Sequence, residues 1–124
     1  MHRSILNLSL LLIVSSAEVS AKQPISESLV DCATIFSMTT RAFPERNTAK
    51  SAALKSAEKT LLAEAENKAR AEGNANAPMY VAALANKKQQ KWDARGVNFI
   101  FSDEFRDWTS YCRSLSKHLG IELQ

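Results

Sequence analysis

The sequence predicts an all-α fold: a small antiparallel bundle of about four helices, with one disulfide joining the first helix to the last. Three observations carry this. Apolar residues recur at steps of three and four along separate segments, and Pro or Gly stands between those segments. The two cysteines, Cys32 and Cys112, fall in the middle of the two best apolar stripes.

The first residues stand apart. Met1-His2-Arg3 is basic, an apolar stretch from Ile5 to Val14 is broken only by Asn7 and Ser9, and Val19-Ser20-Ala21 is a small-residue ending. This is the order of a secretory signal peptide, with cleavage expected after Ala21 and a weaker site at Ala17. The apolar stretch is shorter than the roughly 20 residues of a bilayer span. No stable membrane span is therefore expected after cleavage, and no cysteine follows either site to carry a lipid. Residues 1–21 read as signal peptide and 22–124 as a single helical domain. The expected location is exported: periplasmic in a Gram-negative bacterium, otherwise secreted. There disulfides persist, and two cysteines allow one intramolecular pair, Cys32 with Cys112.

The first helix is expected over 27–42, capped by Ser26 and ended before Pro44. Leu29, Cys32, Phe36, Thr39 and Phe43 draw one stripe along one face. The second is expected over 48–72, with Asn47 or Thr48 as cap and Gly73 as stop. Leu54, Leu61 and Leu62, with Ala57, Ala65 and Ala69, give it a thin apolar face. The third opens near Pro78 and runs to about 95, with Val81, Leu84, Ala85 and Trp92 inward. A short apolar run over 97–101 lacks helical spacing. Ser102-Asp103-Glu104 then starts the last helix, whose stripe is Phe105, Trp108, Cys112, Leu115 and Leu119, ended by Gly120.

The disulfide tests direction, because it holds two Cα atoms within about 7 Å. With the first and last helices antiparallel, Phe36 meets Trp108, Thr39 meets Phe105, Leu29 meets Leu115 and Ile25 meets Leu119. A parallel pairing sets Phe36 against Ser116 or Leu115. Short links also favour up-down-up-down order. The rival architecture is a two-helix clamp from which a long Ala-rich hairpin protrudes.

Composition narrows function mainly by exclusion. The chain carries 16 Lys and Arg against 13 Asp and Glu, a formal +3, and Arg3 and Glu18 cancel within the leader. This small excess suits an anionic partner and argues against nucleic acid in an exported chain. Loss of the leader removes His2 and leaves His118 as the only histidine. The acids are scattered, and Ser114 and Ser116 point away from His118 to different faces, so no catalytic set is expected. No Cys-x-x-Cys and no histidine pair points to a metal or a cofactor. A haem between Met38 and His118 fails on the register, which separates them by about 18 Å.

Two candidate surfaces remain. Lys87, Lys88, Lys91 and Arg95 form a basic cluster, either a patch for an anionic partner or a solvated helix end that complements the dipole. Trp92, Phe99 and Phe101 either form an apolar partner surface or plug the end of the bundle, the plug being favoured. The expectation is an exported non-enzymatic protein that binds a protein or envelope component, in an inhibitor, immunity-type or accessory role. The alternatives are a small-ligand binder with a core pocket lined by Phe36, Phe105 and Trp108, and an unrecognised hydrolase.

Overall fold

A helix that carries mostly apolar residues and small hydroxyls can be buried on nearly every side, and beyond its first turn the first helix of this protein is. The computed structural model describes residues 23–123, so the expected signal peptide lies outside the described residues. Helix α1, Ile25–Phe36, buries Ser26 and every residue from Ser28 to Phe36. The single stripe expected of it is therefore too narrow a description. Two of its hydroxyls are compatible with burial because they bond back to backbone carbonyls of the preceding turn: the Thr34 hydroxyl donates to Val30 O and Asp31 O, and the Ser37 hydroxyl to Ala33 O.

The helix expected to continue to residue 42 is interrupted at Ser37, and α2, Met38–Ala42, resumes after it. The Arg41 guanidinium donates to the Ser37 hydroxyl at 2.5 Å and to Thr34 O at 3.0 Å. These bonds compete with the regular ladder at that turn. The start differs as well. Pro24 holds the N-cap position of α1, and Ser26 does not cap it. Instead the Ser26 N–H and hydroxyl both donate to the Glu72 carboxylate, at 3.1 and 2.5 Å.

Helix α3, Ala49–Ala71, begins at the expected cap, where Thr48 and Ser51 bond reciprocally. It buries Ala57, Leu61, Ala65 and Ala69, a row at steps of four whose small side chains let the helix lie close on α1. The Ala-rich segment is thus packed, and no protruding hairpin forms. Asn76 caps α4, Ala77–Asp93, with Pro78 in its first turn. Gly96, at φ 85°, turns the chain into a 3-10 turn, Val97–Phe101, and Ser102 caps α5, Asp103–His118.

Contacts between elements give the directions. Glu72 at the end of α3 meets Ser26 at the start of α1, so these two are antiparallel. Lys88 meets Glu27 while Asp93 meets Arg41 of α2, so α4 runs parallel to α1. Phe43 lies edge-on to Phe101 at 6.4 Å, and Thr39 and Phe105 line one groove, so α5 returns antiparallel. The disulfide joins Cys32 to Cys112 across 80 positions, with a Cα separation of 5.5 Å. The result is the expected up-down-up-down order, with the broken first helix supplying a fifth helical segment.

Within that frame the pairing of Phe36 with Trp108 does not form. Phe36 lies beneath the Arg113 guanidinium, at 5.5 Å, while Trp108 turns onto Trp92 at 5.0 Å. Trp92 also stacks on Phe99, and Phe99 meets Phe105 edge-on. This aromatic chain ties α4, the 3-10 turn and α5 together.

Closing a loop of 80 residues stabilises the fold by about 4–5 kcal/mol on the chain-entropy model. Cys32→Ser should lower the urea-derived unfolding free energy by that order while far-UV dichroism in buffer stays helical. An unchanged unfolding midpoint would show that packing alone holds α5.

Candidate functional site

The most deeply buried acid among the described residues is in the middle of α1. Asp31 is flanked by Leu29, Val30, Cys32 and Ala33, all without exposure. Its Oδ1 accepts the Trp92 indole N–H at 2.9 Å, and its Oδ2 accepts Gln23 at 3.1 Å. Lys88 Nζ lies 3.2 Å from the same Oδ2 and donates to Glu27 Oε2 at 2.8 Å. A carboxylate in such a place is stable only because each oxygen is compensated. No buried side-chain nitrogen or oxygen among the described residues lacks a partner.

This hub redistributes both candidate surfaces. Trp92 is 2% exposed and Phe99 6%, so two of the three residues expected to offer a partner surface are interior. The Trp92 indole needs the Asp31 acceptor, and Phe99 fills the space against Trp92. Only Phe101, 69% exposed, is on the surface. The run over 97–101 is thus a plug on one side and a surface on the other.

The basic cluster is divided in the same way. Lys88 is 7% exposed and committed to Glu27 and Asp31. Lys91 reaches toward Asp31 at 4.0 Å and over the Trp92 ring at 4.7 Å. Arg95 pairs with Glu104 at 2.8 Å and lies over Phe99. Lys87 alone of the four is exposed without an ion pair among the described residues. Of the four, Lys88 is withdrawn into the interior, whereas Lys87, Lys91 and Arg95 keep exposed side chains, the last paired with Glu104.

Around Phe101 a different surface takes shape. Phe43, Leu54, Ile100, Phe101 and Phe105 line two adjoining grooves, of about 430 and 290 Å³. Their basic side chains are Arg46, Lys50, Arg106 and Arg113, and no acid lines either groove. Arg46 lies over the Phe43 ring at 4.4 Å, and Arg106 pairs locally with Asp103. Sequence reasoning found Phe101 and missed Phe43, Leu54 and the four cations, because they come from three separate elements.

The core pocket expected between Phe36, Phe105 and Trp108 is not present among the described residues. Phe36 and Phe105 line the basic-rimmed groove, whereas Trp108 opens on another, of about 520 Å³, with Asp31, Asp107 and Tyr111. No cluster of three or more His, Cys, Asp or Glu side chains suited to a metal occurs among the described residues, and His118 is exposed in the last turn of α5. Comparison with protein-family models, with curated proteins and with solved structures found no match.

The hub has a measurable signature. Burial pulls the Lys88 pKa down, but its hydrogen bond to Glu27 and the charge and hydrogen bond of Asp31 outweigh this and hold it above the usual 10.5. A value raised in the folded state contributes stability that is complete below pH 10.5 and is lost as pH climbs through the folded value. The stability gap between wild type and Lys88→Met should therefore narrow above pH 10.5, read by urea titration at successive pH values. Asp31→Ala, which leaves the buried Trp92 indole N–H without its acceptor and Lys88 with Glu27 alone, should cost about 1–3 kcal/mol at neutral pH.

Proposed function

We propose that this chain is an exported, non-enzymatic protein that acts by binding another macromolecule, and that the Phe101 face is its contact surface. One observation carries this: Phe101 stands 69% exposed on an apolar groove whose charged side chains are all cationic. A large aromatic left in water beside a concave apolar surface marks a contact site. The rim selects the partner's chemistry. A protein segment with an apolar anchor and flanking Asp or Glu would seat the anchor against Phe101, Phe105 and Leu54. Its acids would meet Lys50, Arg46 and Arg113, none of which has an ion pair among the described residues.

Export rests on the leader over residues 1–21 and on the disulfide, which needs an oxidising compartment. The compartment would be the periplasm in a Gram-negative cell and the exterior otherwise. Among the described residues no helix is long and apolar enough to cross a membrane. The non-enzymatic reading draws on the commitments of the buried charges. Asp31, Glu27 and Lys88 hold one another, which leaves none of them disposed for proton transfer. Inhibitor, immunity-type and envelope-accessory roles all suit a rigid, stapled domain with one such face.

Intact mass of the protein from its exported fraction should correspond to a chain beginning at Lys22 with two hydrogens removed. A photo-crosslinking aromatic at position 101 should yield a discrete protein adduct in the native host, whereas one at Gln89 on the exposed side of α4 should not. Lys50→Glu should abolish the adduct without lowering the melting temperature. Equal adducts from both positions, or none from 101, would overturn the assignment of this face.

A further inference from the structure

On the other side of α5, Glu104, Asp107, Trp108 and Tyr111 follow at i, i+3, i+4 and i+7, the spacing of one helical face. They form one wall of the groove of about 520 Å³, and Asp31 and Lys91 lie opposite. That volume is in the range of small-molecule sites, roughly 300–1,000 Å³. The Trp108 and Tyr111 rings meet edge-on, with centroids 5.7 Å apart and planes at 88°. They make an aromatic corner. Trp108 is braced from behind by the buried Trp92, and Tyr111 is 46% exposed at the mouth.

The charges in the groove are unequal in availability. Asp31 is held by Trp92, Gln23 and Lys88, and Glu104 by Arg95. Lys91 is drawn to Asp31 and the Trp92 ring. Asp107 makes no ion pair among the described residues. One open carboxylate beside two perpendicular ring faces is complementary to a single positive charge on an apolar body. Aromatic faces attract cations through their quadrupole, most effectively when the cation is weakly hydrated. A primary ammonium, which holds water strongly, needs several acceptors to replace that water, and here one carboxylate is open.

We propose that this groove binds a free small quaternary-ammonium compound of the choline type, with its trimethylammonium group in the Trp108–Tyr111 corner and its charge against Asp107. This site is separate from the Phe101 face: the grooves share no lining residue. Either assignment can fail without the other.

The test uses the full mature chain, with tryptophan fluorescence and indole NMR shifts read during titration. The probes are choline, its neutral carbon isostere dimethylbutanol, and ethanolamine. Choline should give saturable changes at the Trp108 indole, ethanolamine weaker ones and dimethylbutanol none. Tyr111→Leu should weaken choline about tenfold, the scale of one well-placed cation–π contact. Asp107→Asn should weaken it about threefold, the scale of an exposed ion pair. Both positions are exposed, and the melting temperature should be unchanged in each variant. Equal binding of dimethylbutanol would reduce the groove to a nonspecific apolar surface, and equal binding of ethanolamine would reduce it to simple ion pairing. Absence of saturation, or binding to phosphatidylcholine vesicles without binding of free choline, would also overturn the proposal.

Discussion

The arrangement depends on a carboxylate that is almost wholly buried, at the floor of a groove. Asp31 is on the helix that every long helix of the fold packs against, so its charge must be met from within the protein. Lys88, Trp92 and Gln23 meet it, and in doing so they fix the rotation of α4 and the position of the chain entering α1. An apolar residue at position 31 would relieve the desolvation cost but would specify neither. Buried ionic groups often contribute little net stability while restricting the ways a core can assemble. Here the restriction concerns α4, whose Trp92 then sets the stacking of Phe99 and Trp108.

The four helices of the bundle are held by different means. Helix α3 lies on α1 through a row of alanines and leucine, and the Glu72 carboxylate fastens its end to Ser26. Helix α5 buries only Cys112 and Ser116 completely. It is retained by the disulfide at its middle and by the aromatic chain through Trp108 and Phe105. A helix attached at a few strong points keeps most of its circumference available, whereas α1 offers little beyond its first turn.

Much of the architecture was legible because it rests on local chemistry. Thr48 and Ser102 begin helices where expected, their side chains accepting backbone N–H groups, whereas the Asn76 cap of α4 is seen only in the structure. The cysteine register also contained the antiparallel order, since Phe43 and Phe101 meet as the same arithmetic requires. The charge assignments were legible only in part. Lys88 is four residues beyond Leu84 and four before Trp92, in line with an inward row, yet its charge class suggested solvent. Whether a lysine is buried depends on an acid elsewhere in the chain. Glu27 and Asp31, four apart on α1, supply it, and no single segment displays both halves of the pair. Trp92 and Phe99 follow the favoured reading of a plug, and only Phe101 is left outside it, because an apolar run looks the same whether one side or both are covered.

Helix α5 therefore divides chemically along its length into two sides. Phe105, Arg106, Thr109 and Arg113 face the cationic groove with Phe101, while Glu104, Asp107, Trp108 and Tyr111 face the acidic aromatic one. Both sides are carried by a helix whose attachment relies on Cys112, so both surfaces depend on an oxidised bond. The hub around Asp31 does not share that dependence on α5, because Gln23, Lys88 and Trp92 come from the N-terminal segment and α4. The fold thus separates a core organised by internal charge from an outer helix organised by a covalent staple. Both proposed contact surfaces draw on the outer helix, whose exposed side chains, such as Asp107 and Arg113, make no ion pair with the buried charges among the described residues.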